Sequence, residues 1–292
     1  VWGSTYIGIG LMVKSMPPLL GSGSRFITAS LVLGSMVLLV KGPAAFNVTW
    51  AQVRGAATMG VTILGFSIGI LSLALRYVPS GIAALIVSAM PLWIIFFRVR
   101  GGDRPSRLTL VGVGVGLLGL VLMLLPGGTA PVNGASGSQV ALWSVAIAFG
   151  SFSWAFFSFR STRIEQPKEP LTTAVIELLA AGVFLCIVGA LIGERWDFGA
   201  ITQQSWAGWG YLVLASATAY GAFVWLLNNA PMSLLATYAY VNPVVAVFLG
   251  FVILNEVVTS DVIVGLSIVV GGVVLVVSGE RRTRLKLNEQ PQ

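Results

Sequence analysis

The chain has 292 residues, 56% of them hydrophobic and only 9% charged, with a mean hydropathy of +0.91. A soluble domain carries about 25% charge, so composition excludes an ordinary soluble fold and points to a polytopic membrane protein. The net charge of +7 sits in short loops between apolar runs, which implies a lipid-bilayer partner and no nucleic acid; the absence of histidine excludes histidine triads, histidine proton relays and metal clusters.

Residues 1–16 read as span 1, short beside the ~20 residues a span needs. The chain starts at Val1 without a methionine, which predicts further residues before it, and no small-residue cleavage site follows, so this stretch is not a cleaved signal. A Pro17-Pro18 turn leads into span 2 (19–40), a polar loop (41–54), span 3 (55–75), a turn (77–80) and span 4 (81–97). A basic loop (98–107) and a glycine-rich span 5 (108–125) complete the first half. Residues 126–139, PGGTAPVNGASGSQ, form a chargeless linker, expected on the periplasmic side. Spans 6–10 follow at 140–159, 171–192, 206–227, 234–254 and 262–278, and the basic tail 280–292 is expected to fray. Cys186 lies within span 7, where it makes neither a disulfide nor a metal site.

The halves repeat. Pro91 and Pro243 are 152 residues apart, and the same offset relates Pro79 to Pro231, Pro18 to Pro170, Gly69 to Gly221 and Arg25 to Glu177. After one slip, Asp103 aligns with Glu256 at an offset of 153. The copies are 1–125 and 140–279. Each holds five spans, an odd number, so the second enters the membrane upside down. The expected fold is all-α and polytopic, with ten transmembrane helices in two inverted five-helix repeats. Inverted repeats favour alternating access around a site near the bilayer midplane.

Basic residues set the orientation. With a cytoplasmic N-terminus, the inside receives thirteen: Lys41, Arg54, Arg98, Arg100, Arg104, Arg107, Arg160, Arg163, Lys168, Arg281, Arg282, Arg284 and Lys286. The outside receives Lys14, Arg25, Arg76 and Arg195. The positive-inside rule therefore places both termini in the cytoplasm.

Few residues inside the spans carry chemistry. Arg25 and Glu177 are the ionisable ones well inside, each seven residues past a proline and so about 10 Å from an entry point. An intramembrane charge is a functional candidate by default, against snorkelling for Arg25 and a structural hydrogen bond for Glu177. Arginine suits a carboxylate or phosphate on a solute, and a buried carboxyl can exchange a proton as water comes and goes. Arg25 is thus a substrate-binding candidate and Glu177 a proton-coupling one. Pro91 and Pro243 interrupt spans 4 and 9 at equivalent places, which suggests cavity-lining hinges rather than packing kinks. Tyr238 and Asn242 share one face of span 9, with Tyr240 on another, and join the substrate-binding candidates. Among the aromatics, Tyr6, Trp154 and Tyr220 lie deep enough to line a cavity, whereas Trp143, Trp206 and Trp209 near span ends read as interfacial anchors.

Gly114-x-Gly116-x-x-Gly119 matches a dinucleotide-binding pattern by letter but follows no strand, and no GxxxxGK[ST] phosphate loop occurs. Gly112 with Gly116, and Ser267 with Gly271, read instead as small-residue stripes for helix packing. No cofactor and no metal are expected.

Several fragments resemble signatures of the drug/metabolite transporter superfamily, in its EamA-type ten-span carriers. They are WGSTYIGIG (2–10), PPLLGSGSRF (17–26), VPSGIAALIVSAMPL (78–92), VIELLAAG (175–182) and ATYAYVNPVVAVFLG (236–250) with Glu256 following. The first copy departs from the Gly-Glu pair common at the end of the fourth span, reading Gly101-Gly102-Asp103. The resemblance spans essentially the whole chain and implies a secondary transporter, not an enzyme, that exports small metabolites, amino acids or drugs across the bacterial inner membrane, as a monomer or homodimer. A proton-coupled multidrug efflux carrier is the alternative within transport; the small multidrug resistance proteins rely on a first-span glutamate, and residues 1–16 hold no acid. A non-transporting membrane scaffold is the alternative of another class, disfavoured because no polar cluster converges at one membrane face.

Overall fold

Residues 1–102, 105–124, 134–161, 163–229 and 238–288 are described in the structure, a computed structural model. Among them all regular structure is helical, because a helix satisfies its backbone polar groups within one segment and hydrocarbon offers no other partner. The helices are α1 (Trp2–Met12), α2 (Pro18–Lys41), α3 (Trp50–Met59), a π-helical segment (Gly60–Gly65), α4 (Phe66–Ala74), α5 (Ser80–Ser88) and α6 (Met90–Arg100). There follow α7 (Arg107–Leu124), α8 (Gly137–Ser161), α9 (Pro170–Leu191), α10 (Gln203–Asn229), α11 (Tyr238–Leu254) and α12 (Ser260–Asn288). Among the described residues five stretches are long and apolar enough to cross a membrane: 18–41, 50–74, 137–161, 170–191 and 260–279. Leu39, Val40 and Leu191 are each at least 80% exposed, which in water would be a liability and in lipid is solvation. The chain is a polytopic membrane protein.

Local chemistry explains the helix ends. Pro18 and Pro170 open α2 and α9, where a missing N–H costs nothing. Thr49 and Gln52 form a capping box at the start of α3. Gly42 and Gly193 stop α2 and α9 in the left-handed region, at φ of 74° and 86°.

Two departures from expectation stand out. The basic tail does not fray after Ser278: α12 runs on to Asn288, since no proline interrupts it and basic side chains suit a helix C-terminus. Span 4 is not one kinked helix. It divides at Ala89 into α5 and α6, with Pro91 in the first turn of α6, and the backbone crosses the break through three-residue bonds, Ala89 N–H to Ile86 O and Leu92 N–H to Ala89 O. In α11, by contrast, Pro243 lies within a continuous helix.

The chain packs as two units, each combining helices from both halves of the sequence. Unit 1 comprises residues 1–76 and 160–229, and unit 2 comprises 77–159 and 230–292. In unit 1, α2 packs along α9 and α1 along α10. Small residues bring these backbones together: a Cβ on Gly182 would lie 2.8 Å from Gly23 O, and one on Gly208 would lie 2.8 Å from Gly8 O. Hydroxyls reinforce both seams, Ser30 Oγ donating to Val175 O and Ser205 Oγ to Leu11 O, each at 2.8 Å. In unit 2, α7 packs along α12 and α5 along α11.

The α7–α12 seam corrects one expectation. Gly112 faces the partner helix, whereas a Cβ on Gly116 would meet Leu92 of α6; the α12 residue at this seam is Gly272, whose added Cβ would be 2.5 Å from Gly116 N. Gly271 meets nothing within 4 Å, and Ser267 is exposed, donating to Ile263 O of its own helix. A four-residue spacing identifies a stripe but not its rotation about the helix axis. Gly272→Ala is therefore expected to destabilise the protein by ~1–3 kcal/mol through overpacking, while Gly271→Ala leaves it unchanged. Thermal unfolding in detergent measures both; equal midpoints would contradict the assigned seam.

Candidate functional site

The predicted site residues fall into both units. Unit 1 holds Tyr6 on α1, Arg25 on α2, Glu177 on α9 and Tyr220 on α10, and unit 2 holds Pro91, Trp154, Tyr238, Asn242 and Pro243. The side chains of Pro91, Tyr220 and Tyr238 lie outside the described residues.

Arg25 is the most distinctive of them. It is only 3% exposed, on the buried face of α2. Its Nη1 donates to Ser216 Oγ on α10 at 3.3 Å, its guanidinium carbon lies 4.2 Å from the Phe26 ring centre, and its Nε has no acceptor. Each arginine offers five N–H donors, so one long bond to a hydroxyl and a ring face leave most of that capacity unused. Snorkelling would require an exposed head group, which Arg25 does not have. About two helical turns from Ser216, α10 also carries Trp209 toward α2: its Nε1 donates to Ser24 Oγ at 3.0 Å. Trp209 is thus turned inward rather than serving only as an interfacial anchor, whereas Trp206, stacked edge-on against it, is exposed. Trp143 likewise meets a ring, lying parallel to Tyr77 with centroids 5.6 Å apart.

Glu177 is 9% exposed and sits on α9, the helix packed along α2. The π-helical segment Gly60–Gly65 crosses it so closely that a Cβ on Gly60 would collide with the Glu177 backbone. A π segment is rare and frequently marks a functional site, because its wider turn releases backbone groups from the regular ladder. Sequence alone shows nothing of this, since Gly60-Val61-Thr62 reads as ordinary apolar helix. Tyr6 is buried in α1.

Unit 2 presents aromatic rings and unpartnered polar atoms. Phe97 of α6 meets Phe152 and Phe156 of α8 at centroid distances of 5.0 and 5.3 Å, and Trp93 meets Phe152 edge-on at 5.5 Å. Trp93 Nε1, Ser144 Oγ and Ser151 Oγ are buried without a hydrogen-bond partner; with Arg25 Nε they are the four such side-chain atoms among the described residues. Ser144 and Ser151, seven residues apart, share one face of α8. Trp154 and Asn242 are half-buried. Ser144, Ser151 and Ser216 carry no functional signal in the sequence, because a serine in a span usually bonds its own helix backbone.

Two carboxylates outside the helices also bind backbone. Glu194 Oε2 accepts from the N–H of Leu19 and Leu20 at 3.0 and 2.8 Å, capping α2. Glu256 does the same for α5, accepting from the N–H of Ser80 and Gly81. Proline-led helices leave orphan N–H donors that attract an anion, and both acids directly follow a left-handed residue, Gly193 or Asn255.

Comparison with known proteins agrees with this architecture. The chain matches the EamA-like transporter family over residues 1–125 and 141–278. It is 37% identical over 283 residues to the uncharacterized inner membrane transporter YedA of Escherichia coli K12, covering 96% of this chain and 88% of that protein. It is 28% identical over 268 residues to the threonine/homoserine exporter RhtA of the same organism, covering 89% and 83%. A solved crystal structure with 20% identity superposes at a TM-score of 0.64, covering 98% of this chain and 94% of its own, which shows the shared fold. With a family match across most of its length, and relatives that are membrane transporters, the chain belongs to the EamA-like transporter family.

Proposed function

We propose that the protein is a secondary carrier that exports small amphipathic solutes, with amino acids first among them, across the bacterial inner membrane by alternating access. Ten spans in two inverted repeats, both termini in the cytoplasm and the 126–139 linker in the periplasm complete the proposal. The observation that carries it is the buried, incompletely bonded guanidinium of Arg25, a donor fork suited to a solute carboxylate. The unpartnered donors and rings of α6 and α8 supply apolar surface with hydrogen-bonding points, the chemistry an amphipathic solute needs. RhtA, by its name, exports threonine and homoserine, both of which carry a carboxylate. Tyr6 and Tyr220 in unit 1, and Trp154, Tyr238 and Asn242 in unit 2, are the further solute-binding residues of the proposal, with Pro91 and Pro243 as hinges of unit 2 and Glu177 as the proton-coupling residue.

Reconstitution into liposomes tests the function. Labelled threonine, homoserine and phenylalanine are loaded, and efflux is compared with that from protein-free vesicles. Threonine amide, which lacks the carboxylate, serves as the control. Efflux of the acids well above that of the amide is expected; equal efflux of acid and amide would remove the anion from the recognition scheme.

Orientation is tested separately. Single cysteines at Ser106 and Ser136, in a background with Cys186 replaced, are exposed on intact cells to an impermeant thiol reagent. Ser136→Cys should react and Ser106→Cys should not. The reverse pattern would invert the carrier.

A further inference from the structure

Glu194 and Glu256 perform the same bonding in the two units, yet their surroundings differ. The Glu194 cap belongs to a helix pair fastened at both ends. Across the far end of α2 and α9, Lys41 pairs with Glu169 at 2.6 Å and Thr172 Oγ1 donates to Ala45 O at 2.9 Å, while Ser30 bonds Val175 O between. Neither α2 nor α9 has a proline beyond its first turn. That pair is a strut.

Among the described residues the α5–α11 pair is fastened by hydrogen bonds at one point. At the end of α11, Asn255 adopts φ 55° and turns the chain back, so that Glu256 N–H bonds Gly250 O at 3.1 Å. The carboxylate then reaches the start of α5. Its Oε1 accepts from Ser80 N–H at 2.7 Å, and its Oε2 accepts from Ser80 Oγ at 2.9 Å and Gly81 N–H at 3.3 Å. The niche is shaped for it. A Cβ on Gly250 would lie 2.5 Å from Glu256 Oε2 and 2.8 Å from Ser80 Oγ, and one on Gly81 would lie 2.8 Å from Val247 Cγ2. Among the described residues, no other hydrogen bond crosses this seam. Beyond it both partners can bend: Pro243 lies about one turn from Val247, and the α5–α6 break at Ala89 about two turns from Gly81.

We propose that Glu256 is a latch that holds the proline-containing spans of unit 2 together at one end and so sets which face of the carrier is closed at rest. The proposal rests on the alternating-access reading above, in whose orientation the latched end is periplasmic. A carboxylate held by three donors at a single point can be released in one step while the helices stay intact, and a hinge beside each arm converts that release into separation. The same carboxylate chemistry on the strut lacks both features. The first-copy counterpart, Asp103, lies outside the described residues. Its side chain is one methylene shorter than that of Glu256.

Cysteine reactivity in nanodiscs tests the latch without a transported solute. Cys186→Ala supplies the background, and Ala84→Cys places a thiol one turn below Gly81, at a residue 1% exposed. A second chain carries Ala29→Cys on the α2 strut, where exposure is 0%. Adding Glu256→Ala should raise the rate of maleimide labelling at position 84 at least tenfold, equivalent to about 1.4 kcal/mol. Labelling at position 29 should not change. Glu256→Gln, which keeps an acceptor, should raise the rate less, and Ser80→Ala, which removes only the 2.9 Å bond, least of all. If Glu256→Ala does not fold, the order of the two milder variants decides. An unchanged rate at position 84, or an equal rise at position 29, overturns the latch and leaves Glu256 a structural cap. A failed flux assay alongside selective labelling would instead overturn the transport reading.

Discussion

Arg25→Lys is expected to reduce efflux of carboxylate-bearing solutes at least tenfold while the protein remains folded. Lysine keeps the positive charge, so a purely electrostatic role would survive the change. It loses the planar fork, and with it the Nε donor that has no partner among the described residues and the Nη1 bond to Ser216. A bidentate contact to a carboxylate falls to a single one; a hydrogen bond to a charged group contributes about 1.5–3 kcal/mol, which corresponds to roughly tenfold or more. The measurement is efflux of labelled threonine and of threonine amide from liposomes holding each variant. The acid should lose rate and the amide should not. Equal loss for both would make Arg25 a packing residue, its guanidinium serving only the Phe26 face and Ser216. Wild-type rates for both would move recognition to the rings and hydroxyls of unit 2.

Glu177→Gln is expected to abolish accumulation driven by a proton gradient, while exchange of labelled for unlabelled solute continues. The amide is nearly isosteric and can keep the hydrogen bonding of a neutral carboxyl, but it cannot bind and release a proton at neutral pH. The two readouts separate coupling from binding. Loss of exchange as well would assign Glu177 to the solute or to the fold, where Gly60 packs against its backbone. Unchanged accumulation would leave the carrier without proton coupling at this residue, and the π segment beside it would need another explanation.

The class of the protein was legible from composition, because hydrocarbon admits few backbone solutions and an apolar run of sufficient length declares itself. Proline and glycine punctuation placed most helix ends within a few residues, since their effect is local: Pro18, Pro170, Gly42 and Gly193 act where they stand. Arg25 and Glu177 were visible for a similar reason, as charges are rare within spans. Rotation and partnership were not visible. Gly271 and Gly272 are indistinguishable by spacing, and only the α7–α12 seam decides that Gly272 carries the contact. Glu194 and Glu256 read as loop acids until the fold brings orphan N–H groups of α2 and α5, about 175 residues away in sequence, to their carboxylates. The division of the chain into units that each draw on both halves has the same cause. Helices without a hydrophobic drive to associate in lipid pair through small-residue faces and buried bonds, and those depend on three-dimensional surfaces that no local pattern encodes.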